Sequence, residues 1–75
     1  MPKLPRFSGA ETIRRLCKLG FIKVRQRGSH VVLRKNTSEG DIGCAVPLHN
    51  ELAVGTLKGI LRQARVSITD FLDVK

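Results

Sequence analysis

The hydrophobic period of this chain changes from helical to alternating and back to helical, and that order leaves few folds open. Ala10, Ile13, Leu16 and Cys17 recur at helical spacing. Three short segments follow: FIKVRQ (21–26), HVVLRK (30–35) and DIGCAVP (41–47). The first alternates apolar and charged residues, as a half-buried strand does. The other two are short apolar-rich runs bounded by turn residues. Leu57, Ile60, Leu61 and Ala64 then return to helical spacing, and Ile68, Phe71 and Leu72 suit a short final turn. Consecutive strands with helices at both ends predict an α+β domain. The expected order is α-β-β-β-α with a short C-terminal helix. The helices lie on one face of a three-stranded antiparallel sheet, and the other face is free to meet solvent or a ligand.

Local signals agree with this order. Residues 1–7 (MPKLPRF) hold two prolines and read as extended. Ser8 and Glu11 have the spacing of a capping box, and Phe7 before the cap is placed to staple onto the first turn. Gly20 supplies a left-handed residue to end the first helix near Leu19. Arg27-Gly28-Ser29 reads as a hairpin turn, Asn36–Gly40 as a polar loop, and Pro47 as a strand stop. Residues 48–55 read as a lead-in to the second helix, inside which Gly59 is a weak point. Ser67 and Asp70 repeat the capping spacing.

The 75 residues make one domain, 1–75. A domain of this size buries only about 60% of the surface its unfolded chain exposes, which leaves no room for a deep cofactor cavity. An active site would have to be a shallow surface feature. No small-molecule cofactor is expected. Neither a membrane span nor a signal peptide is legible. Cys17 and Cys44 fall at apolar positions and read as buried free thiols, which suits a reducing cytoplasm.

The formal charge is +8, with a pI near 10.6. Residues 1–35 hold ten Lys or Arg, from Lys3 to Lys35, against the single acid Glu11. A basic half of this kind is the footprint of a polyanion binder, and this reading outweighs a merely solvated face. The partner classes left open are nucleic acid, an anionic membrane and an acidic protein.

If Gln26 faces Ser29 across the turn, Arg25 falls opposite His30, Val24 opposite Val31, Lys23 opposite Val32 and Ile22 opposite Leu33. Val24, Val31, Ile22 and Leu33 then share the buried face, while Lys23, Arg25 and His30 share the open one. RNA carries its own nucleophile in the 2′-hydroxyl. Its cleavage needs a proton-transfer group that titrates near neutrality and cations for the phosphate. His30 is the candidate catalytic residue. Lys23, Arg25, Arg27, Ser29 and Arg34 are the candidate RNA contacts. By itself a surface histidine more often has no catalytic role, and His49, in a polar loop, is more simply a structural residue.

Other chemistries lack their residues. Cys17, His30, Cys44 and His49 do not have zinc-ligand spacing, so no metal site is expected. Ser29 and His30 are adjacent on a strand and point apart. No glycine run matches a phosphate-binding loop, and the six carboxylates are scattered. The only aromatics are three Phe, two of them (Phe21 and Phe71) at core positions, which leaves little for base stacking.

The motifs in order resemble those of HicA-type toxins, small bacterial ribonucleases of toxin–antitoxin pairs. The segments that carry the resemblance are SGAETIRRLCKLGF, RQRGSHVVLRK, VPLHNEL and GTLKGILRQARVSITDFL, nearly the whole chain. Arg65 stands where such proteins often have glycine, and Val54 where proline is common. The resemblance implies a fold like that of a double-stranded-RNA-binding domain, mRNA cleavage with growth arrest, and inhibition by a HicB-like antitoxin; that RNA supplies its own nucleophile makes the expected cleavage metal-independent. It places the catalytic histidine after Gly-Ser at the second strand, which is His30. A double-stranded-RNA-binding module without catalysis is the alternative.

Overall fold

The computed structural model describes residues 4–75, so Lys3 and the start of the expected extended segment lie outside the described residues. The elements are α1 (Gly9–Lys18), β1 (Ile22–Arg27), β2 (His30–Thr37), β3 (Gly40–Pro47), α2 (Val54–Ala64) and α3 (Ile68–Leu72). The strands form one antiparallel sheet in the order β1-β2-β3. The α+β class and the element order are those the periodicity dictates.

Helix α1 starts where the hydroxyl of Ser8 accepts the Glu11 N–H at 3.0 Å. Only this half of the capping box forms. The Glu11 carboxylate turns forward instead, accepting from Arg14 at 2.6 and 3.0 Å and from Arg15 at 2.9 Å. The two guanidinium groups hold the Glu11 carboxyl at about 2, well below its ordinary value, and its charge in turn raises Arg14. Gly20, at φ +106°, ends the helix, and the Phe21 N–H reaches back to the Leu16 carbonyl at 3.1 Å. Phe7 precedes the cap, where a staple onto the first turn is expected. It meets Phe71 edge-on at 5.1 Å, with the Arg15 guanidinium 4.7 Å from its ring centre. Arg15 also donates to the Phe71 and Leu72 carbonyls at the end of α3. Arg14 and Arg15 therefore spend their charge on internal structure.

The loop expected at 36–40 is shorter than the sequence suggests. β2 runs on to Thr37, and only Ser38 and Glu39 form the turn before Gly40. The Thr37 hydroxyl closes that turn, donating to the Gly40 carbonyl at 2.6 Å and accepting the Glu39 N–H. A polar side chain that bonds its own turn lets the strands extend further.

The core lies between the helices and the inner face of β2 and β3. Val31, Leu33, Cys44 and Val46 come from the sheet, and Ile13, Leu16, Leu57, Ile60, Leu61, Ala64 and Phe71 from the helices, with Phe21 and Leu52 between. All four apolar positions of α2 are buried as expected; on α1, Ala10 is exposed and Cys17 only half-buried. Thr12 is fully buried, and its hydroxyl donates to the Ser8 carbonyl at 2.8 Å. Helix α2 ends at Arg65, which takes the left-handed conformation (φ 57°, ψ 39°) that glycine adopts more easily. Ser67 caps α3 through the Asp70 N–H at 3.0 Å. Both α1 and α2 pack chiefly against β3, and β1 packs chiefly against β2. This asymmetry shapes the site.

Candidate nucleic-acid interface

The hairpin closes differently from the sequence expectation. Arg27 pairs with His30, so the turn holds only Gly28 and Ser29. Gly28 has φ +58° and Ser29 is not left-handed, the arrangement of a type II′ turn with glycine first. This two-residue closure shifts the register. Gln26 faces Val31, Arg25 faces Val32, Lys23 faces Leu33 and Ile22 faces Arg34, with a bulge at Val24. The expected pairs Val24–Val31 and Ile22–Leu33 do not form. Val31 and Leu33 are buried, but Ile22 is 63% and Val24 43% exposed. Ile22 and Val24 would face inward only if β1 lay over the core. With the helices set toward β3, β1 overhangs, and no residue in it is buried.

The register sorts the candidate residues onto faces, because directly opposed residues share a side. His30, Arg27, Arg25 and Arg34 lie on the outer face. Lys23, opposite Leu33, lies on the other side of the strand instead of beside His30. Ser29 lies in the turn, and its carbonyl accepts the Leu48 N–H at 2.6 Å. That bond ties the turn before His30 to the exit of β3. The same exit is tied to α1, because the Gly9 N–H donates to the His49 carbonyl at 2.9 Å. His49 thus has a structural role through its backbone.

Among the described residues Lys23, Arg25 and Arg27 form no ion pair, while Arg34 lies 3.9 Å from the exposed Asp41. A contact so long and so exposed contributes little, which leaves Arg34 available to a phosphate. Among the described residues no three His, Cys, Asp or Glu side chains gather as a metal site would require.

His30 also borders a groove of about 310 Å³ that the sequence reading did not foresee. Ala45 and Pro47 of β3 line it on one side. Helix α2 lines it on the other through Gly55, Thr56, Gly59, Ile60 and Gln63. The sequence signal was a glycine inside a helix with polar neighbours on the same side. It read as a weakness of the helix, since nothing local says that α2 runs beside β3.

An exposed histidine starting a central strand, three arginines on its face and a shallow groove beside it suit the handling of a polyanion. The family description "HicA toxin of bacterial toxin-antitoxin" matches residues 9–66, which include α1, the whole sheet and α2. No curated protein matches the chain. The match covers well over half of the sequence, so the chain belongs to the HicA family of toxins from bacterial toxin–antitoxin systems.

Proposed function

We propose that this toxin is a metal-independent mRNA endoribonuclease with His30 as its single catalytic side chain. The observation that carries the reading is the position of His30. It stands on the strand paired on both sides, exposed, with Arg27 directly across from it. The imidazole takes the proton of a ribose 2′-hydroxyl, the oxygen attacks the adjacent phosphorus, and the 5′-oxygen of the next nucleotide leaves and takes a proton from water, the imidazolium later returning its own proton to solvent. The products are a 2′,3′-cyclic phosphate and a 5′-hydroxyl. Arg25, Arg27 and Arg34 hold the phosphates and offset the charge that grows on them. Lys23 and the turn at Ser29 contribute from the flank. One positioned proton-transfer group contributes roughly 10²–10⁴-fold, so turnover is slow. A HicB-like antitoxin neutralises the protein by covering this face.

The test is induced expression of wild type and His30→Ala, with growth followed and total RNA run on a gel. Purified protein is assayed on RNA with and without a chelator. Arrest and RNA decay with the wild type alone, unaffected by chelation, are expected. His30→Ala should fold normally, because its side chain is exposed. Equal behaviour of the two proteins, with loss on Arg25→Ala or Arg27→Ala, would instead make this a binding module without catalysis.

A further inference from the structure

We infer that the groove between β3 and α2 seats one unpaired nucleotide next to the scissile phosphate, and that Gln63 and Thr56 read its base. The inference rests on the ribonuclease reading above and adds where the substrate lies and what form it takes.

The groove begins at His30, so whatever occupies it adjoins the reacting phosphate. At about 310 Å³ it is at the small end of ligand sites and suits a single nucleoside. Among the described residues its only titratable side chain is His30, whereas Arg25, Arg27 and Arg34 lie on the far side, on β1 and β2. Phosphates and base therefore have separate places: the backbone runs over the arginines and past His30, and the base turns into the uncharged groove.

The glycines of α2 make a second observation. A Cβ built on Gly55 or Gly59 meets nothing within 4 Å. No described residue requires glycine at either place, and Gly59, inside the helix, weakens it relative to alanine. Both line the groove, so the helix backbone is bare where a ligand would lie against it. Phe21 and Phe71 are buried and Phe7 packs on Phe71, so no aromatic ring lines the groove for stacking. Recognition falls to hydrogen bonds, and the groove offers the Gln63 amide, both donor and acceptor, and the Thr56 hydroxyl. A base held in a duplex cannot turn in. The substrate is thus RNA that is single-stranded at the cut, although an A-form duplex is what the overall fold alone would suggest.

Each of the four nucleoside 3′-monophosphates is titrated into isotope-labelled wild-type protein, with inorganic phosphate as the control. Amide shifts at Gly55, Thr56 and Gly59 and in the Gln63 side chain are expected from the nucleotides and not from phosphate. Gly59→Leu fills the groove without meeting the core and should melt no lower than wild type. It should abolish those shifts and leave the phosphate response of Arg25 and Arg27 intact. Gln63→Ala should flatten the preference among the four nucleotides by roughly fivefold or more. An RNA strand should be cut at least about tenfold faster alone than annealed to its complement. Shifts confined to β1, or reproduced by phosphate, would overturn the inference whether or not RNA is cut. A Gly59→Leu protein that binds nucleotides normally but fails to bind its antitoxin would assign the groove to that protein and overturn it too. Nucleotide shifts in the groove without RNA cleavage would remove the ribonuclease reading alone.

Discussion

Gly9→Ala is a substitution whose cost can be worked out atom by atom. A Cβ on Gly9 would lie 2.0 Å from the Pro47 carbonyl oxygen and 3.0 Å from the Leu48 Cα, where real contacts essentially never fall below 3.0 Å. The obstruction is backbone, so no rotamer relieves it. Helix α1 and the exit of β3 must separate by about 1 Å. That breaks the Gly9 N–H bond to His49, a loss of about 0.5–1.5 kcal/mol. Overpacking of this kind adds about 1–3 kcal/mol. Alanine's higher helix propensity returns little at the first helical position. The net cost is about 2–4 kcal/mol, a large share of the roughly 4–11 kcal/mol available to a domain of this size. Tm should fall by roughly 10–25 °C. Urea unfolding followed by circular dichroism gives the stability directly, and Gly59→Ala is the paired control. It also adds one Cβ to a helical glycine, but into open space, and should raise stability by up to about 1 kcal/mol. Equal midpoints for Gly9→Ala and wild type would refute the clash argument. So would a loss of the same size in Gly59→Ala.

Three further outcomes follow from the local chemistry. Arg65→Gly should raise Tm, because a left-handed non-glycine residue costs roughly 1–2 kcal/mol, and a thermal melt measures the gain. The Glu11 carboxyl is lowered from 4.5 to about 2 by Arg14 and Arg15, so its contribution is complete above pH 4.5 and is lost as pH falls toward 2. Wild type should therefore exceed Glu11→Gln in Tm at pH 7, and the difference should close across that window. Burial raises the Cys44 thiol to about 11, so a thiol reagent at neutral pH should reach it only after denaturant is added.

The helices were legible because a buried stripe at 3.6-residue spacing has one reading. Leu57, Ile60, Leu61 and Ala64 all face the core. Phe21 and Phe71 were expected in the core and are buried there. The register of the first hairpin was not legible. Ile22 and Val24 look like inward residues only if the helices cover β1, and which edge they cover is decided by how α1 and α2 meet β3. Gly28-Ser29 alone as the turn was the better local signal, because a two-residue closure with glycine first matches strand twist. His30 was expected on the outer face and lies there, while the shift in register changed its neighbour from Arg25 to Arg27. Gly55, Thr56, Gly59 and Gln63 were missed as groove residues because their relation to His30 exists only once α2 is set beside β3.

The overhang of β1 divides the molecule into a firm part and a compliant one. β2 and β3 are anchored through Val31, Leu33, Cys44 and Val46, whereas β1 buries no residue and depends chiefly on its pairing with β2. Opening it sacrifices little apolar burial, so its amides should exchange with solvent hydrogen well before those of β3. The bulge at Val24 adds a point at which its twist can change. Arg25 and Arg27 ride on this compliant strand; in the proposed ribonuclease they would follow backbones of different curvature, while His30 stays fixed to the part that does not yield.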